Sequence, residues 1–276
     1  GSGLVPVERD GAMLVMRRSP LSHAPDVPPG DEAAIVVTGS RIRGAPPASP
    51  VTILSSRAIA QAGQADLGEA VRTLPQSFAG GQNPGVAPGA PGSNNNQNSG
   101  SSINLRGLGP DATLTLLNGH RLAYGSFTQA IDVNAIPLAA VERIEIVADG
   151  ASALYGSDAV GGVANIILRK DYDGVSATAR LGAATDGGDT QQQYSLVGGT
   201  AWNGGGLIAT CDFERDTAIT ARQRSYTHYM PANSTLLPAL KRHSAVLSLH
   251  HALTPDLTFS FDGLYNWRRS STVLQV

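Results

Sequence analysis

The sequence predicts an α+β domain followed by antiparallel strands of a transmembrane β-barrel, with only part of that barrel present. Three observations carry this. Up to about Lys170, short β-prone runs alternate with a helical pattern. From residue 174, five spans of about ten residues each put apolar side chains on one face and polar ones on the other. The links between those spans alternate between tight turns and a long polar loop.

Composition narrows the function. The 276 residues carry 20 basic and 22 acidic side chains, a balance that excludes bulk nucleic-acid binding. A single cysteine, Cys211, allows neither an intrachain disulfide nor a cysteine metal cluster. No run reaches the ~18 apolar residues of a membrane helix. Gly1-Ser2-Gly3-Leu4 offers no initiator methionine and no apolar signal region, so a leader has been removed or the chain is a piece of a longer one.

Residues 1–18 contain one strand candidate, Met13–Met16, and residues 19–45 read as a Pro- and Gly-rich linker holding Ile35-Val36-Val37-Thr38-Gly39. Residues 46–170 form the α+β unit. Val51–Leu54 is a strand, and Ser55 or Ser56 caps a helix expected from Arg57 to about Leu74, stopped by Pro75. Ala79–Ser102, with Asn94, Asn95, Asn96, Gln97 and Asn98, is a long polar loop. Ile103–Arg106, Thr113–Leu117, Val141–Val147 and Val163–Leu168 are strands, Asn118-Gly119 is a hairpin turn, and Ser152–Tyr155 is a short helix.

Residues 171–276 hold the alternating spans. Val175 to Ala183, Tyr194 to Trp202, Leu207 to Phe213, Ala245 to Leu253 and Leu257 to Trp267 each show one apolar face. A water-soluble β-sandwich alternates too, but strand length and Trp202, Tyr265 and Trp267 near strand ends favour the membrane barrel. Five strands cannot close a bacterial barrel, so the chain is expected to be a fragment.

Several motifs in order resemble TonB-dependent outer-membrane receptors: Ile103-Asn104-Leu105-Arg106-Gly107-Leu108-Gly109, Leu114–Leu122, Val141-Glu142-Arg143-Ile144-Glu145-Ile146-Val147 and Gly150–Ile167. The resemblance implies a plug domain inside a 22-stranded barrel of a Gram-negative outer membrane, with plug and N-terminus on the periplasmic side. It implies energised uptake of a scarce nutrient such as a ferric siderophore, driven by TonB with ExbB and ExbD, or, as the alternative, a receptor whose main output is a transcriptional signal. The partners are then TonB, a small-molecule or metal-chelate substrate and outer-membrane lipid; no cofactor, catalytic group or resident metal is implied. Ile35–Gly39 resembles the TonB box, an extended apolar segment able to join a partner's sheet edge; the alternative is an internal strand of the plug. Arg106, Arg143, Glu142 and Glu145 resemble the charges that latch plug to barrel, against the alternative of a solvated strand face. Asn94–Asn98 would contact substrate at the plug apex, or serve only as a spacer. Residues 1–18 are similar to the end of a periplasmic domain that addresses an anti-sigma regulator, or are an unrelated extension.

Other signals are weaker. Gly107–Ala112 satisfies G-x-G-x-x-A, but Pro110 and the strand that follows exclude a dinucleotide site there; a soluble nucleotide-binding enzyme is the alternative from another class. His250 and His251 are adjacent on a strand, so they face opposite sides and share no metal.

Overall fold

The computed structural model describes residues 4–9, 12–17, 38, 49–78, 100–124 and 130–273. Two compact units divide the chain between Ile35 and Val36, inside the Ile35–Gly39 segment. In the first, β1 (Leu4–Arg9) and β2 (Ala12–Arg17) pair as an antiparallel hairpin, Leu4 opposite Arg17. The expected strand at Met13–Met16 is the centre of β2. Its partner contains Pro6, which has no ladder donor and obscures the strand in the sequence pattern.

The second unit opens with β3 (Thr52–Ser55), α1 (Ser56–Gln61) and α2 (Leu67–Arg72). The single helix expected over 57–74 is thus two. Gly63, at φ +71°, ends the first, a conformation that costs glycine nothing. Asp66 starts the second by accepting from the Glu69 N–H at 2.7 Å, while the Glu69 carboxylate accepts from the Ala65 N–H at 2.6 Å. Next come β4 (Thr113–Leu117), β5 (His120–Arg121), β6 (Val141–Val147), α3 (Ser152–Tyr155) and β7 (Gly162–Leu168). The sheet order is β3-β6-β7-β4-β5, with β4 parallel to β7 and the other pairs antiparallel.

Asn118 and Gly119 both take positive φ and turn β4 into β5, as their dipeptide signals. Ile103–Arg106 is not a strand. Only Leu105 bridges, to Ser77, and the backbone then turns through positive φ at Arg106 and Gly107. Leu67, Val71, Leu105, Ile144, Ile166 and Leu168 share one core. Because β6 is covered on both faces, the alternation of 141–147 separates no wet face from a dry one: only Glu142 is exposed.

Beyond Lys170 the chain becomes a meander. Strands β8 (Gly174–Gly182), β9 (Gln191–Trp202) and β10 (Gly205–Asp216) are followed by a long link carrying a small ribbon, β11 (Ile219–Thr220) with β12 (Thr235–Leu237). Then come β13 (Ala239–Thr254) and β14 (Leu257–Ser271). All five long strands pair antiparallel with their sequence neighbours. Register places Ala177, Leu196, Cys211, Ala245 and Tyr265 in one cross-strand row, and Thr178, Ser195, Asp212, Ser244 and Asn266 in the next. The first row belongs to the outward face, where Val175, Leu181 and Tyr265 are 77%, 71% and 60% exposed. On the opposite face Asp212, Arg242, Ser244 and Ser248 are buried against the α+β domain. Apolar outside and polar inside is the inverse of a soluble sandwich and the arrangement of a membrane barrel wall. Among the described residues no helix is long and apolar enough to cross a membrane.

Candidate functional site

Two polar clusters tie the second unit together. The first centres on Glu145, which sits in the middle of β6 and is fully buried. Its Oε2 accepts from the Thr38 N–H at 3.0 Å and from the Thr38 hydroxyl at 2.6 Å; its Oε1 accepts from Arg143 Nε at 2.9 Å. Arg143 also contacts Glu142. Burying a carboxyl group is costly unless a cation and hydrogen-bond donors surround it, as Arg143 and Thr38 do here. Directly opposite in the ladder, Asn165 on β7 donates to Thr38 Oγ1 at 3.0 Å.

Asn165 extends the cluster. Its Oδ1 accepts from the Gly119 N–H at 2.9 Å, at the β4–β5 turn. The neighbouring Asn118 donates from Nδ2 to Asp262 Oδ2 on β14 at 2.7 Å, and Asp262 Oδ1 accepts from Ser248 on β13 at 2.6 Å. Asn165, the Gly119 N–H and Asn118 thus link Thr38 to Asp262 on the barrel wall.

The second cluster is the seam between domain and wall. Asp132 accepts from the Ser101 N–H at 2.8 Å and forms an ion pair with Arg268 of β14. From the wall, Arg180 donates to the Gly63 carbonyl at 2.8 Å and Gln193 to the Ala65 carbonyl at 3.1 Å, so both grip the break between α1 and α2. Buried Arg242 pairs with Glu214 and lies 3.9 Å from Asp212.

Of the expected site residues, Arg143, Glu142 and Glu145 come together, but they pair with one another inside the domain. Arg106 is exposed at φ +62°, and no ion pair joins it to them among the described residues. The wall contacts through Asp132, Arg180, Gln193 and Arg268 were not visible in the sequence, because partners more than a hundred residues apart leave no local pattern. Of Ile35–Gly39 only Thr38 lies within the described residues, and Asn94–Asn98 lie outside them. Pro110–Ala112 form one 3-10 turn before β4, which leaves Gly107–Ala112 without the helix a dinucleotide needs. His250 and His251 diverge as expected, to Asp171 at 3.4 Å and to Trp202 Nε1 at 3.1 Å.

On the α+β domain's surface, Arg121 holds the Asp158 carboxyl below the usual carboxylate range through a hydrogen bond, the guanidinium rising in turn. Asp149 is lowered as well, chiefly by the hydroxyl of Ser49 at 2.9 Å.

Comparison with known proteins agrees with this architecture. Residues 46–163 match the family model of the TonB-dependent receptor plug domain. The fold is similar to the siderophore receptor PirA from Pseudomonas aeruginosa, at 23% identity and a TM-score of 0.51, over 79% of this chain and 35% of that one. It is similar to the ferric enterobactin receptor PfeA at 19% identity and a TM-score of 0.60, over 80% and 33%. The ferric citrate transporter FecA gives 18%, 0.59, and 82% against 32%. The chain thus spans about a third of the length of these receptors. Residues 46–163 thus match the TonB-dependent receptor plug domain in sequence, and the antiparallel strands packed on them share the fold of the corresponding part of those receptors.

Proposed function

We propose that this protein takes up a scarce nutrient across the outer membrane, a ferric siderophore, using work delivered by TonB with ExbB and ExbD. One observation carries the reading: the polar face of the barrel wall is covered by the plug through a part-buried ion pair and hydrogen bonds to main-chain carbonyls. A solute can pass such a wall only if the plug is moved, and moving it requires an external pull. In this reading Ile35–Gly39 is the TonB box, adding as a strand to TonB. Arg143, Glu142, Glu145 and Arg106 hold the plug's resting state, and Asn94–Asn98 meet the substrate. The substrate class rests on the descriptions of PirA, PfeA and FecA as receptors or transporters of siderophores, ferric enterobactin and ferric citrate.

Proline at Val37 removes a main-chain donor and blocks strand pairing. In the intact receptor, Val37→Pro abolishes energised uptake of the ferric ligand while equilibrium binding persists. Uptake at the wild-type rate would refute the TonB-box assignment.

A further inference from the structure

We infer a docking site for a phosphate-bearing lipid on the outward face of β10, β13 and β14. Register sets Arg215 directly opposite Lys241, and Lys241 directly opposite Arg269. All three are exposed, and none forms an ion pair among the described residues. At about 4.8 Å between strands they make a basic row roughly 10 Å wide. Like charges facing each other across strands repel, so the row costs the sheet stability until an anion lies on it.

What lies beneath the row identifies the anion. One step down the same face, Tyr194, Phe213, His243 and Trp267 stand in register, with ring centroids 6.1, 4.9 and 5.4 Å apart in sequence. Lys241 Nζ lies 5.9 Å from the Phe213 ring centroid. Below them is a depression of about 590 Å³ lined on this face by Ala177, Ala179, Leu196, Cys211 and Ala245 between Tyr194 and Tyr265. At the turn end, Trp202 and His251 form a second ring contact.

The depth agrees with a bilayer. From Gly205, the turn-end partner of Trp202 and His251, to Arg215 the strand rises about 34 Å, or about 26 Å of height at a tilt near 40°. That is the height of a barrel's apolar band (about 25 Å), so the cations stand at its polar border on the long-loop side. Cations, then rings, then an apolar hollow match an anionic headgroup, its interface and an acyl chain. An acidic protein would answer the charges but not the apolar hollow beneath them. The inference needs the membrane barrel but not the transport reading.

The test uses the intact receptor carrying this segment, in neutral detergent micelles doped with phosphatidic acid or with phosphatidylcholine of the same acyl chains. Bound lipid is counted by native mass spectrometry. Wild type retains phosphatidic acid at least tenfold over phosphatidylcholine, and rising sodium chloride erodes that preference. The Arg215→Gln, Lys241→Gln, Arg269→Gln triple variant loses it while keeping heat-modifiable migration; if the triple variant does not fold, Lys241→Gln alone lowers it. Equal retention of the two lipids, a preference that survives the substitutions, or a preference indifferent to salt would overturn the site. So would displacement by millimolar inorganic phosphate, which would mark a free-phosphate site, or capture of polyglutamate in place of phosphatidic acid, which would mark a protein-binding one.

Discussion

Replacing Glu145 by alanine should release Thr38 from the plug. The substitution removes two hydrogen bonds that Thr38 donates and the buried partner of Arg143 Nε, leaving Thr38, among the described residues, the bond from Asn165. Hydrogen bonds to a charged acceptor are worth about 1.5–3 kcal/mol each, but Thr38 regains water once released, so about 2 kcal/mol net is expected. That raises the released population about 30-fold. Loss of one partner of a buried pair costs about 3–5 kcal/mol, and Glu142 offsets part of this for Arg143. Arg41 and Arg43, three and five residues beyond Thr38, supply tryptic sites. Where reclosing outpaces cleavage, the rate of cutting tracks the open population. In the intact receptor, Glu145→Ala should therefore be cut at Arg41 or Arg43 some 30-fold faster than wild type. Glu145→Gln, which keeps the shape and one acceptor oxygen, should fall between them. Equal cutting rates in Glu145→Ala and wild type, with the plug still folded, would refute the anchor.

Two further outcomes follow from local geometry. Asp158 has its folded pKa depressed by Arg121, so the stability it contributes is present above the unfolded value near 4 and lost as pH falls through the lower folded value. The Asp158→Asn variant should therefore unfold more readily than wild type at pH 7 by about 0.2–1 kcal/mol, with the gap closing as the pH falls below the ordinary carboxylate range; a gap independent of pH would disprove the assignment. A Cβ on Gly68 would stand 2.4 Å from Ser101 Oγ and 2.8 Å from Asn134 Oδ1, so Gly68→Ala should cost about 1–3 kcal/mol by overpacking. Gly63, at φ +71° with open space around it, should cost only about 1 kcal/mol on the same change, and thermal unfolding that reversed the order would contradict the packing seen here.

The strands of the barrel wall were legible because a wall between lipid and a polar interior imposes period-two alternation on every residue. The Asn118-Gly119 turn was legible because its backbone conformation selects its residues. The break between α1 and α2 was written in the sequence too: Asp66 and Glu69 have capping-box spacing just after Gly63, but apolar periodicity runs through the break and masks it. Val141–Val147 misled in the other direction. Its alternation suggests a wet face, but Glu145 is dry because Thr38, distant in sequence, lies across it. No local rule finds a carboxylate whose donor lies 107 residues away, and Arg268 could not be matched to Asp132 for the same reason.

The hydrogen bonds leading from Thr38 have a mechanical meaning. Glu145 and Asn165 face each other on adjacent strands, so tension applied at Thr38 loads β6 and β7 at one cross-section rather than peeling either from its end. Asn165 passes part of that load to Gly119, and Asn118 beside it is moored to Asp262 on the wall. The anchorage at the far end is an exposed hydrogen bond between half-buried Asn118 and exposed Asp262, whereas the grip on Thr38 is buried. Water competes for the exposed bond and not for the buried one. Under load, the Asn118–Asp262 bond should therefore yield before the grip on Thr38 does, leaving the ion pair of Asp132 with Arg268 to hold domain and wall together.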